Sequence, residues 1–76
     1  MDLNLRLANI KEIQESIFHQ NLFIKTVDLR NNRLEKVPES ICDLPYLLTI
    51  RLDYNYIVKL PAGIGTIPKL ETLTAS

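Results

Sequence analysis

The single histidine, His19, and the carboxylate pairs Glu12/Glu15 and Glu35/Glu39 are the side chains whose types suit acid–base chemistry. His19 lies in Ile17-Phe18-His19-Gln20 with no acid or nucleophile at a motif spacing, so it reads as a solvent-facing histidine. The glutamate pairs fall in segments that read as exposed turns, where charge is expected, and neither makes a carboxylate dyad. Gly63 and Gly65 share two glycines with a phosphate-binding loop, but no third glycine follows at the fingerprint distance and no Gly-Lys-Ser/Thr is present. They are expected to let the chain turn tightly. Cys42, the only cysteine, has no companion for a disulfide or a metal site and reads as a small hydrophobe. The chain is therefore expected not to be an enzyme, with no catalytic, cofactor-binding or metal-ligating residue and no cofactor. Recognition chemistry is what remains: Asp28, Arg30, Arg51, Asp53 and Tyr54 are the candidate protein-binding residues, since arginine and tyrosine are enriched among side chains that carry interface energy.

Those five residues are interleaved with an apolar pattern that must position them. Val27 and Leu29, like Ile50 and Leu52, alternate with Asp28, Arg30, Arg51 and Asp53, the period-two signature of a strand with one buried face. The whole stretch from Val27 to Ile41 recurs from Ile50 to Ile64 at a step of about 23 residues, within the range of short repeat units. In both copies an asparagine, Asn32 or Asn55, follows the strand, where a short amide can bond backbone groups as the chain turns away; stacked copies would form an asparagine ladder. Leu34, Val37, Ile41 and Leu44 then recur at helical spacing, but Pro38 and Pro45, with Pro61 and Pro68 one copy on, limit any helix between them to a single short turn. Pro38 suits the first position of that turn, where its missing donor costs nothing.

The phase runs outward in both directions. Ile67, Pro68 and Leu70 match Leu44, Pro45 and Leu47, while Leu73 and Ala75 begin a further copy. Leu3, Leu5, Ile10, Ile13 and Ile17 sit one residue more than a full step before Val27, Leu29, Leu34, Val37 and Ile41. This first copy is degraded, because Ala8 takes the Asn32 place and Gln14 the Pro38 place. The expected organisation is one domain or fragment, residues 1–76, with repeats over 3–26, 27–49 and 50–72 and the start of another at 73–76. Parallel strands joined by such crossovers give a curved solenoid with the sheet inside and short turns outside.

With Leu29/Leu52, Asn32/Asn55 and Pro38/Pro61 in place, the chain resembles the leucine-rich repeat family, of the short intracellular type that writes Leu-Pro-x-x-Ile after the asparagine turn and includes Ras-suppressor-like scaffolds. The resemblance covers essentially the whole chain. It implies an α/β leucine-rich repeat solenoid: short parallel strands on the concave face, irregular or 3-10 turns on the convex face, about three repeats and incomplete caps. It also implies a scaffold role in a signalling or small-GTPase-linked context.

The concave surface is then expected to carry Asp2, Asn4 and Arg6, then Thr26, Asp28, Arg30 and Asn31, then Thr49, Arg51, Asp53 and Tyr54, then Thr72, Thr74 and Ser76. In register, Asp28 stands beside Arg51 and Arg30 beside Asp53, a crossed set of opposite charges able to tie neighbouring strands. Nine basic and nine acidic residues cancel, so no broad field gathers nucleic acid or an anionic membrane. No run of apolar residues is long enough to span a bilayer and Met1-Asp2 does not open a leader, so a cytoplasmic chain is expected. At 76 residues only about 60% of the unfolded surface is buried on folding, and apolar residues near both ends raise self-association through open ends. The expected function is a non-enzymatic protein–protein interaction module with a protein partner. The alternative is a truncated fragment, or a targeting or regulatory part of a larger enzyme or assembly.

Overall fold

In the computed structural model, which describes residues 1–75, four short strands form one parallel sheet in chain order: β1 (Asp2–Asn4), β2 (Thr26–Asp28), β3 (Thr49–Arg51) and β4 (Thr72–Thr74). The register places Leu3 opposite Val27, Val27 opposite Ile50 and Ile50 opposite Leu73, so the apolar member of each strand stands in one row. Val27 and Ile50 are fully buried, whereas Leu73, on an edge strand with a neighbour on one side only, is 39% exposed. Ser76, expected on the outward face, lies outside the described residues.

Each strand returns to the next through a crossover that carries one short helical turn. Helix α1 (Ser16–His19) lies between β1 and β2, and 3-10 turns at Glu39–Asp43 and Ala62–Thr66 follow β2 and β3. The prolines explain why these last two stay short. Pro38 and Pro61 are in extended conformation immediately before the turns, and their carbonyls accept the first bonds, from Ile41 N–H at 3.2 Å and Ile64 N–H at 3.1 Å. Proline thus sits one place ahead of the expected first helical position: a free carbonyl is what the turn needs there, and proline keeps it.

The core lies between the sheet and these turns. Ile24, Val27, Leu29, Leu34, Ile41, Leu44, Leu47 and Ile50 are all fully buried, each burial contributing roughly 1.5–3 kcal/mol relative to exposure. Residues of the flanking segments, such as Leu5, Ile10, Ile57 and Ile64, are only half-buried against it.

One core expectation is corrected. In the first crossover, fully buried Phe18 rather than half-buried Ile17 joins the core. The extra residue of that segment is taken up in α1, where Gln20 N–H reaches back to Ser16 O in an α-type bond, and this turns the next side chain inward. Gly63 and Gly65 lie inside the tight 3-10 turn Ala62–Thr66, and neither has a positive φ. Gly63 is also a close approach: a Cβ there would stand 3.4 Å from Cys42 Sγ.

Candidate functional site

Strand alternation sends Val27, Ile50 and Leu73 inward, which leaves Thr26 and Asp28, Thr49 and Arg51, and Thr72 and Thr74 on the outward face. The outward rows are Asp2-Thr26-Thr49-Thr72 and Asn4-Asp28-Arg51-Thr74. The five candidate residues are therefore brought together on and just beyond β2 and β3, with Asp28 directly opposite Arg51 as expected.

The charge pairing differs from the crossed arrangement. Both carboxylate oxygens of Asp28 are taken by the arginine two places along its own chain: Arg30 Nε donates to Oδ1 at 2.9 Å and a terminal guanidinium nitrogen donates to Oδ2 at 2.8 Å. The Arg30 backbone N–H also donates to Oδ1, at 3.3 Å. Residues i and i+2 share a strand face, and the planar guanidinium matches a carboxylate bidentately. The Arg51 guanidinium consequently has no ion pair among the described residues. Asp53 contributes to holding Arg30 protonated, after the larger effect of the Asp28 hydrogen bond.

Arg30 hydrogen bonding holds the Asp28 carboxyl below its ordinary range, against the opposing effect of burial, with further help from the Arg30 backbone N–H and the charges of Arg30 and Arg6. A carboxyl depressed in the folded state stabilises fully above its unfolded value, ordinarily 3.8, and that stabilisation is lost as pH falls through the lower folded value. Asp28→Asn should accordingly flatten the acid limb of the stability profile below about pH 4. Urea midpoints across the acid range check this; an acid slope identical to that of the parent chain would refute it.

Just past β1, β2 and β3 the backbone enters the left-handed region at a residue that is not glycine: Leu7 (φ 55°), Asn31 (φ 59°) and Tyr54 (φ 62°). Asparagine tolerates this conformation; leucine and tyrosine adopt it at a cost of about 1–2 kcal/mol each. What holds them there is the residue that follows, or its neighbour in the sheet. The Asn32 side chain accepts from Ala8 N–H at 3.1 Å and Ile10 N–H at 2.9 Å and donates to Leu5 O at 2.8 Å and Leu29 O at 3.0 Å. The Asn55 side chain accepts from Leu34 N–H at 3.0 Å and donates to Leu29 O at 2.8 Å and Leu52 O at 3.0 Å. Each asparagine thereby ties its own turn to the preceding one. Tyr54 emerges from this clamp 71% exposed, at the end of the strand that carries Arg51.

A further row was not anticipated as a unit. Phe23 and Tyr46 stack with ring centroids 5.8 Å apart, and Lys69 Nζ lies 5.1 Å from the Tyr46 centroid. All three precede a strand by the same three places, a regularity that the spacing contains. Such stacking and cation–π contacts each contribute about 0.5–1.5 kcal/mol.

The remaining chemistry-bearing residues stand apart from this face. His19 Nε2 is 3.9 Å from Asp43 Oδ2, a proximity that no motif spacing reveals because it joins two crossovers; both side chains are largely exposed. The Cys42 thiol is pushed up chiefly by burial and then by the charges of Glu39 and Asp43, which disfavours the reactive thiolate. Glu39 is engaged structurally, its Oε1 accepting from Ala62 N–H at 2.9 Å. Among the described residues no helix is long and apolar enough to cross a membrane, and no group of His, Cys, Asp and Glu is arranged to hold a metal ion.

No family model matches the chain, and no solved structure matches it.

Proposed function

We propose that the chain is a leucine-rich repeat solenoid acting as a non-enzymatic, cytoplasmic protein-interaction module, with the outward strand face as its concave binding surface. The solenoid reading is supported by the parallel chain-order sheet, whose register follows the sequence repeat, and by the matching bonds of Asn32 and Asn55. The single observation that carries the binding role is the pairing of Arg51, free of an ion pair among the described residues, with Tyr54, an exposed ring held in a strained backbone. The left-handed turn recurs at Leu7 and Asn31 and so belongs to the repeat; at Tyr54 it presents an exposed ring just beyond the strand that carries Arg51. A preset strand face also loses little conformational freedom when a partner docks. By resemblance, the partner belongs to a signalling context of the small-GTPase-linked kind.

The test is a chain carrying Arg51→Ala and Tyr54→Asn. Asparagine relieves the left-handed backbone, so Tyr54→Asn is expected to raise stability by about 1 kcal/mol while removing the ring. The immobilised parent chain should retain proteins from a cell extract that the double variant retains at least about tenfold less well. Retention of the same proteins at the same level by a well-folded double variant would defeat the proposal.

A further inference from the structure

We infer that the chain stacks head to tail on a second copy of itself, the outer edge of β4 in one copy pairing in parallel with the outer edge of β1 in the next. Among the described residues β4 has a strand neighbour on one side only, and its inward leucine, Leu73, is exposed where Val27 and Ile50 are fully buried. The rest of that end is open in the same way. Ile57, Leu60, Ile64 and Leu70 are half-buried, while one repeat step earlier Leu34, Val37, Ile41 and Leu47 are buried. At the β1 end Leu3, Leu5, Ile10 and Ile17 are likewise half-buried. The two ends thus correspond to the two sides of one internal junction between repeats, and a copy placed one step beyond β4 covers the first with the second.

The backbone dictates how the edges meet. Successive residues of a strand direct their N–H and C=O groups to opposite sides. Thr72 N–H donates to Leu48 O at 3.0 Å and Thr74 O accepts from Leu52 N–H at 2.7 Å, so both residues face β3 and the polar groups of Leu73 between them point to the open edge. Leu5 N–H donates to Asp28 O at 2.8 Å, so Leu5 faces β2, and the backbone groups of Asn4 and Asp2 point to the open edge of β1. Leu3 stands opposite Val27 and Ile50 opposite Leu73; the same register carried on sets Leu73 opposite Leu3 of the second copy. Leu73 N–H then donates to Asp2 O of the second copy, and Leu73 O accepts from Asn4 N–H of the second copy.

The same step supplies partners to two side chains. Thr74 Oγ1 is buried without a hydrogen-bond partner among the described residues. Its row, Asn4-Asp28-Arg51-Thr74, brings Asn4 of the second copy beside it. The Asn4 amide uses its oxygen on Arg6 N–H at 3.1 Å, which leaves its nitrogen to donate to Thr74. Lys59 stands in bridge register with Lys36, an unfavourable pair of like charges. Glu12 occupies the Lys36 place in the first repeat, so the second copy sets a carboxylate on the other side of Lys59. The adjoining charges of that turn meet no like charge, since Lys11 falls beside Val58 and Glu15 beside Ala62. Ala8 stands in the asparagine place, so this junction lacks the amide bonds that tie the second turn to the third within one copy, and association is correspondingly reversible. Because the two faces differ, the contact does not close on itself and copies add in a row.

Light scattering of the intact chain between about 10 μM and 1 mM should show a mass that rises with concentration past that of a dimer. Leu73→Pro and Asn4→Pro each remove one outward N–H and leave the ladder inside the sheet complete. Either variant alone should stay monomeric, while an equimolar mixture, with one live edge from each, should form a mixed dimer that grows no further. Lys59→Glu, which alters neither strand, should weaken association about threefold or more, and Glu12→Lys/Lys59→Glu should restore it. Stacking rests on the solenoid reading but on neither residue of the partner face, so Arg51→Ala/Tyr54→Asn should stack like the parent chain and the two proposals fail separately. Circular dichroism checks that each variant is folded. The inference is overturned by a parent chain that remains monomeric at about 1 mM, by a folded Leu73→Pro chain that associates like the parent, by a mixture that forms no dimer, as expected if β4 pairs with β4, or by a Lys59→Glu chain that associates undiminished.

Discussion

Asn32→Ala is expected to lower the folding stability by about 3–5 kcal/mol, because it strands several buried polar groups at once. Asn32 is 5% exposed, and its amide is the partner of two N–H groups, Ala8 and Ile10, and of the carbonyls of Leu5 and Leu29, with a longer bond to Arg30 O at 3.3 Å. Alanine fills part of the volume but supplies no donor or acceptor, so groups that were bonded to water in the unfolded chain lose a partner on folding. A chain of this size has a total stability of roughly 4–11 kcal/mol, from about 0.05–0.15 kcal/mol per residue. The substitution should therefore remove a large share of the total, and at the lower end of that range it leaves the chain near its folding midpoint in water. Asn55→Ala, at a half-buried position with one N–H partner, Leu34, should cost about half as much. Urea denaturation measures both. A loss under about 1 kcal/mol for Asn32→Ala would mean that the amide is not what joins the first turn to the second.

That amide was legible in the sequence because its chemistry is local and repeated. A short polar side chain after an alternating apolar pair, found twice at one step, has few uses other than capping a turn, and the register Val27 to Ile50 follows from the same step. The Asp28–Arg30 pair was hidden for a different reason. Sequence spacing places Arg51 beside Asp28, and the register agrees, but which guanidinium takes the carboxylate depends on reach and angle across a strand face, and Arg30 has both. The left-handed backbone at Leu7 and Tyr54 was hidden more deeply, since neither residue type favours it. Only Asn31, at the corresponding place, gave a local sign. The juxtaposition of Lys36 and Lys59 was hidden because net charge sums over the molecule, whereas these two become neighbours only through the bridge between two turns.

Phe18→Ala is expected to cost about 3–5 kcal/mol, the range for deleting a buried aromatic ring, whereas Ile17→Ala should cost well under half of that. Periodicity alone reverses this order, because Ile17 continues the apolar phase of Leu3, Leu5, Ile10 and Ile13. The structure breaks that phase within the first crossover. Ile13 still aligns with Val37 and both are nearly buried, yet beyond them the α-type turn absorbs one additional residue and Phe18 arrives where Ile41 stands in the next crossover. The ring is fully buried in the same core as Ile41, and the two crossovers are joined by Ser40 Oγ donating to Glu15 O at 3.0 Å. Removing the ring leaves a void under α1, whose four residues are too few to hold a helix by backbone bonds alone, so the turn depends on this one anchor. Thermal and urea unfolding of the two variants decide between the phases. A larger loss for Ile17→Ala than for Phe18→Ala would restore the uninterrupted repeat and rule out α1 as the place where the extra residue is absorbed.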